Sequence, residues 1–349
     1  MIGKIVLRFG ILLYFVFINL SCSSSYYRPQ SQKANNGEYD SEFPDQNASD
    51  QLEEISNSIF RVSSIAFYRT YTFGDTSRIK KTDLSEGLIK QNSIKSTVTD
   101  KPILGTGTLI YLNSGAAGIL TCAHVVSFPD TIITYFVDSA GVFMDYIESI
   151  SFKMKQDVYV AGFPEGSEVN IILKDDQLDI AFLGRQFDAA SVSKFQVFNY
   201  PFGSSKELKW GTFVYLMGFP LNYKMVSRAI VSNPGYDRNG TFLIDAPVNR
   251  GFSGGIILAL RDGVPNFELV GLIQSVPEED ENVLKPATID KKYRYSTAVP
   301  YKGLAYVNQL KLFNYGIAKA VPVDLIVNYL KKNKELLISK GYDLSIFKQ

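Results

Sequence analysis

An all-β fold is what this sequence predicts, on three observations. From Ile59 to Phe73 apolar and polar residues alternate, with many aromatics among them, which is the period of a half-buried strand. Leu178 to Leu183 is a short apolar run of strand length. Helical signatures are confined to two short stretches, 50–58 and 322–331. The 349 residues, 46% of them hydrophobic, suffice for one domain of about 250 residues plus appendages. With 36 basic against 35 acidic side chains the net charge is +1, so there is no electrostatic case for nucleic acid as a partner.

Taken in order, the chain opens with Lys4 and Arg8, followed by Phe9 to Leu20, apolar except for Gly10 and Asn19. This is the pattern of a secretory signal peptide over 1–21, too short for a comfortable membrane span. Cys22 follows small Ser21 and precedes three serines. The arrangement resembles the lipobox of bacterial lipoproteins, although Asn19 stands where that motif usually has an aliphatic residue. The resemblance implies lipidation of Cys22 and an exported, membrane-anchored protein facing the periplasm or cell surface of a bacterium. Simple cleavage and an uncleaved signal anchor are the alternatives. Residues 22–50, rich in Ser, Asn, Gln and Asp, read as a flexible tether.

A main domain is expected over 51–335 and a tail over 336–349. Within the domain, the helix at 50–58 leads into the strand at 59–73. Gly74 to Pro102 is polar and basic and predicts a long loop. Pro277 to Tyr315, with an acidic start at Glu278 and a Tyr-rich remainder, reads as an insertion. Such loops either line a cleft and set specificity or merely decorate the surface. The last element, 322–331, carries Asp324 near its start and Leu325, Ile326, Tyr329 and Leu330 on one face.

The chemistry is carried by three segments. The only histidine, His124, sits in Leu120-Thr121-Cys122-Ala123-His124-Val125-Val126; Asp179 lies in the apolar run at 178–183; Ser253 lies in Gly251-Phe252-Ser253-Gly254-Gly255. A serine hydroxyl needs an imidazole to take its proton and a buried carboxylate to hold that imidazole in one tautomer. A carboxylate inside an apolar run is costly unless paired, and His124 is the obvious partner. The glycines suit an oxyanion hole built from the backbone N–H groups of Gly251 and Ser253. Each segment taken alone also fits an ordinary role: a core histidine, a turn carboxylate, a glycine-rich turn. Their joint occurrence in the order His, Asp, Ser is what favours catalysis, and that order differs from those of subtilisin and the α/β-hydrolases.

These segments resemble the trypsin-like, chymotrypsin-fold serine endopeptidases, and among them the bacterial HtrA/Deg-like group. Gly105 to Ile110 with Gly118 to Thr121, Gly211 to Pro220, Asp245-Ala246, Val270 to Ile273 and Gly316 to Pro322 extend the likeness over most of 60–330. It implies two six-stranded antiparallel β-barrels with the triad His124, Asp179 and Ser253 in the cleft between them, and a short C-terminal helix. The spacings, 55 residues from His124 to Asp179 and about 74 from Asp179 to Ser253, leave room for the intervening strands. By position, the resemblance puts Pro247 at the base of the primary specificity pocket and Gln274, Ser275 and Val276 along the strand that pairs with substrate. Without a carboxylate at 247, small or apolar residues before the cut are expected.

Phe252 departs from the digestive enzymes, which carry an aspartate there to pair with a new N-terminus. The departure implies a loop ordered by packing or by substrate, with Asn249 and Arg250 as positioning candidates or plain loop residues. No segment remains for a PDZ domain. Cys22 and Cys122 are the only cysteines, so a lipidated Cys22 leaves Cys122 unpaired, most simply as a small buried hydrophobe. One histidine and one remaining cysteine make no zinc cluster, and no spaced acidic calcium loop is present, so no metal or cofactor is implied. The partners implied are a protein or peptide substrate and a membrane. Two other classes fit the same residues: a catalytically silent peptide-binding lipoprotein, and an esterase using the same triad.

Overall fold

In the computed structural model the described residues are 35–139, 141–275, 278–286, 298–313 and 316–344. The expected signal peptide over 1–21, Cys22 and Val276 lie outside them. Two closed six-stranded antiparallel barrels, the number and kind expected, make up the fold. After helix α1 (Ser49–Ser56), β1 (Ile59–Phe73) spans the alternating stretch. It pairs with β2 (Ser93–Asn113), which turns tightly into β3 (Ala116–Thr121). Then come β4 (Thr131–Val137), β5 (Phe143–Val160), β6 (Glu168–Asp175) and β7 (Ile180–Gln186). The first barrel runs β1-β2-β3-β7-β6-β5 and closes by pairing of β5 with β1. The second is built from β8 (Phe213–Gly218), β9 (Met225–Asn233), β10 (Phe242–Ile244), β11 (Ile256–Leu260), β12 (Phe267–Ser275) and β15 (Ala318–Pro322).

Strands β3, β8 and β11 are buried along their whole length, so their sequences are continuous apolar runs. Helix α2 (Glu86–Asn92) precedes β2, and the single-turn α3 (Ala189–Val192) follows β7. Helix α4 (Val323–Lys332) buries Val323, Ile326 and Leu330, with Leu325 and Tyr329 half-buried against the same core. Asp324 at its start accepts the backbone N–H of Ser205. No helix among the described residues is long and apolar enough to cross a membrane.

Four expectations are corrected. The tether ends before residue 50: Tyr39 and Asp40 are buried, the Asp40 N–H donates to the Leu260 carbonyl, and the Asp40 carbonyl accepts from Phe213 N–H. The Tyr39 hydroxyl donates to Glu268 at 2.6 Å. Polar composition hid this because the anchoring contacts are themselves polar.

The stretch 74–102 is not one long loop. Residues 86–92 form α2, and 93–102 are the outer half of β2, paired with the outer half of β1 as in Tyr68 with Thr99 and Thr72 with Lys95. Outer β2, β1, β5 and β4 make a four-stranded arm continuing out of the first barrel. Solvent along these residues permits Ser, Thr and Lys, which erases the apolar signal of a strand. The insertion 277–315 contains, among its described residues, a hairpin of β13 (Glu278–Pro286) and β14 (Ala305–Phe313). The described part of the expected tail is packed: α5 (Lys334–Ser339) buries Leu337, and Tyr342 stacks edge-on against Phe182 and Tyr111.

Candidate active site

Strand register brings His124 and Asp179 together. Strands β3 and β7 are antiparallel, with Thr121 opposite Ala181. Running forward from 121 and backward from 181, the chain meets His124, in a 3-10 turn, and Asp179, at the end of the β6–β7 hairpin loop. The side chain of Asp175 braces that loop by accepting the N–H groups of Gln177 and Leu178, each at 2.9 Å. Asp179 itself sits at φ 57°, a left-handed conformation that aspartate tolerates better than most residues.

The carboxylate holds the histidine twice. The His124 backbone N–H donates to Asp179 Oδ1 at 2.9 Å. Nδ1 lies 2.8 Å from Oδ2 and 3.0 Å from Oδ1. A carboxylate only accepts, so Nδ1 carries the hydrogen and neutral His124 keeps its lone pair on Nε2. The acid is 6% exposed, while the imidazole retains 42% exposure, so the pair has a buried anchor and an open working end.

Cys122 lies beneath the pair, fully buried, with its thiol donating to the Ile273 carbonyl at 3.4 Å. Burial, and then the charge of Asp179, push this thiol well above its ordinary pKa. The ligand atoms of Cys122, His124 and Asp179 fall within 4.8 Å of one another, as a metal site would require. Nδ1 and the carboxylate already satisfy each other, however, and the thiol is held protonated. The arrangement is therefore a hydrogen-bonded pair on an apolar bed, in line with Cys122 as a buried hydrophobe.

Ser253 is held against the same corner by the first barrel. Its carbonyl accepts the Thr106 N–H at 2.8 Å. The Thr106 hydroxyl donates to the Gly251 carbonyl at 2.8 Å and accepts the Phe219 N–H at 2.9 Å. The Thr121 hydroxyl in turn donates to the Thr106 carbonyl at 2.7 Å. Gly254 is pressed into this contact at φ +81°: a Cβ there would lie 2.2 Å from the Thr106 carbonyl oxygen. The sequence shows Thr106 only as one residue of a Gly-Thr-Gly strand. Its brace across the barrels has no local signature.

Phe252 is fully buried in the core of the second barrel, among residues such as Val214, Leu216 and Ile244. Packing thus orders the loop where an ion pair is missing. Asn249 and Arg250 take part through their carbonyls, which accept from Phe252 N–H at 3.1 Å and Leu221 N–H at 2.8 Å. The second bond orients the peptide between Arg250 and Gly251, so that the Gly251 N–H, in the same plane, points the opposite way from the Arg250 carbonyl. Neither the Gly251 nor the Ser253 N–H donates to another described residue.

The Ser253 hydroxyl donates to the Gln274 carbonyl at 3.1 Å. Gln274 and Ser275 end β12, next to the nucleophile loop. Pro247 is exposed between buried Ala246 and Val248, so that position opens to solvent and is not enclosed.

Two barrels, a clamped histidine and a braced serine loop define a class, and comparison with known families agrees with it. The family model described as "Trypsin-like peptidase domain" matches residues 105–272, a stretch that contains His124, Asp179 and Ser253. Residues 105–272 are thus similar to a trypsin-like peptidase domain, and they lie within a chymotrypsin-like two-barrel fold. A search of curated proteins finds no match.

Proposed function

We propose that this protein is a serine endopeptidase, exported and tethered to a membrane through lipid on Cys22. The observation that carries the catalytic part is the double clamp of Asp179 on His124, together with a serine loop whose backbone is fixed to the same barrel through Thr106. His124 Nε2 takes the proton of Ser253 as Oγ attacks the peptide carbonyl carbon, and Asp179 stabilises the imidazolium. The N–H groups of Gly251 and Ser253 receive the oxyanion. His124 then protonates the leaving amine, and a water activated by the same imidazole releases the acid and restores Ser253. Attack requires Ser253 Oγ to leave the Gln274 carbonyl, a rotation about one side-chain bond. Gln274, Ser275 and Val276 are the proposed substrate contacts, whereas Pro247 is exposed and encloses no pocket, so it carries no assignment of specificity.

The test is reaction of the purified protein with a fluorophosphonate beside a Ser253→Ala control, read by adduct mass together with casein cleavage. An adduct confined to Ser253 with casein hydrolysis supports the endopeptidase. An adduct with ester turnover but no peptide cleavage shifts the reading to an esterase. Absence of any adduct on folded protein favours a silent peptide-binding lipoprotein, the reading to which the bond from Ser253 to Gln274 lends some weight.

A further inference from the structure

The arm has a core of its own, separate from the two barrels. Phe73, Ile147 and Ile150 from the sheet bury against Ile79 and Ile89 from the 74–92 segment. This third cluster does not close. A cavity of ≈ 790 Å³ remains between sheet and cover, and its apolar walls come from Tyr71, Ile133, Ile150 and Phe152 on the sheet and Leu84 and Ile89 opposite. Its size and mostly apolar lining are those of a small-molecule site.

The rim indicates the polarity of the occupant. Lys81, Glu86 and Lys90 line the cavity. Lys90 is neutralised by Glu86, with Nζ 2.7 Å from Oε1. Lys81 has no acidic partner among the described residues, which leaves one uncompensated positive charge beside an apolar chamber. A long apolar body with one terminal anion is the complementary shape.

We propose that this cavity binds a medium-chain fatty acid, with the alkyl chain between Ile133, Ile150, Phe152 and Ile89 and the carboxylate at Lys81. The site lies on the arm, outside the catalytic residues, and stands whether or not the peptidase reading does.

Calorimetric titration of the whole protein with dodecanoate, beside dodecyltrimethylammonium as a chain of equal length and opposite charge, tests it below the micelle concentration. Dodecanoate is expected to bind at one site and the cation about tenfold more weakly. Lys81→Ala should weaken dodecanoate about fivefold, the effect of one partly exposed ion pair, with an unchanged melting temperature. Ile133→Trp should fill the chamber and abolish binding, with Ile89→Trp as a second filling variant should the first misfold. Equal binding of both amphiphiles, or dodecanoate binding unaffected in folded filling variants, overturns the proposal. So does tighter binding of a short peptide ending in a free leucine carboxylate than of dodecanoate.

Discussion

Gly254→Ala is the most informative single change, because two separable costs meet at one atom. A Cβ at residue 254 would stand 2.2 Å from the Thr106 carbonyl oxygen and 2.4 Å from the Thr121 hydroxyl. Carbon and oxygen normally approach no closer than about 3.3 Å, so the loop must retreat by about 1 Å. The left-handed backbone at φ +81° adds about 1–2 kcal/mol for any residue with a side chain. Retreat stretches the 2.8 Å bond from Thr106 N–H to the Ser253 carbonyl and carries the nucleophile away from His124. A misplacement of about 1 Å is worth roughly 100-fold in rate. Gly263 supplies the control, since it sits at φ +86° and a Cβ added there would meet nothing within 4 Å. Gly263→Ala should show the backbone cost alone, about 1–2 kcal/mol in denaturant unfolding, with an unchanged labelling rate. Gly254→Ala should show at least that loss and a labelling rate lower by about 100-fold. Equal labelling rates for the two variants would refute the idea that the inter-barrel contact at Gly254 positions the serine.

Three further outcomes follow from the same structure. Asp179→Asn keeps the size of the clamp but allows the wrong imidazole tautomer, so peptide turnover should fall by about 10⁴-fold with a nearly unchanged melting temperature; a loss under tenfold would remove Asp179 from the mechanism. Phe252→Ala empties a fully buried site in the second barrel and should cost about 3–5 kcal/mol in chemical denaturation while also loosening the serine loop, read as slower fluorophosphonate labelling. Tyr342 is pushed up to about 12 by burial and then by Tyr111. The folded state therefore keeps the neutral phenol while the unfolded chain ionises above pH 10, so stability is present below that pH and lost as pH rises toward 12. Melting temperatures measured from pH 9 to 12 should fall less steeply in Tyr342→Phe than in the wild type, and identical slopes would contradict the assignment.

Much of the architecture was legible because burial writes itself into sequence. The strand Ile59–Phe73 alternates because one side faces a core, and Ile180–Leu183 is uniformly apolar because that part of β7 is fully buried. His124, Asp179 and Ser253 stood out because a lone histidine, an acid at an apolar run and a glycine-flanked serine are each uncommon choices. Elements whose partners are water or distant polar groups stayed hidden. The outer half of β2 is a strand written in Ser, Thr and Lys, and Tyr39 to Asp40 looked like tether while being pinned to the second barrel.

By itself, then, the sequence determined the β-class, the positions of the apolar strands and the identity of the three candidate catalytic side chains. Only the tertiary structure decided that Thr121 faces Ala181, so that a turn and a hairpin end meet as a clamped pair. It alone revealed Thr106 as the brace of the serine loop, and the 74–92 segment as the cover of a separate cavity. The physical reason is range: periodicity and composition report whether a residue is buried, whereas register, closure and hydrogen bonds between residues more than a hundred positions apart exist only once both barrels have folded.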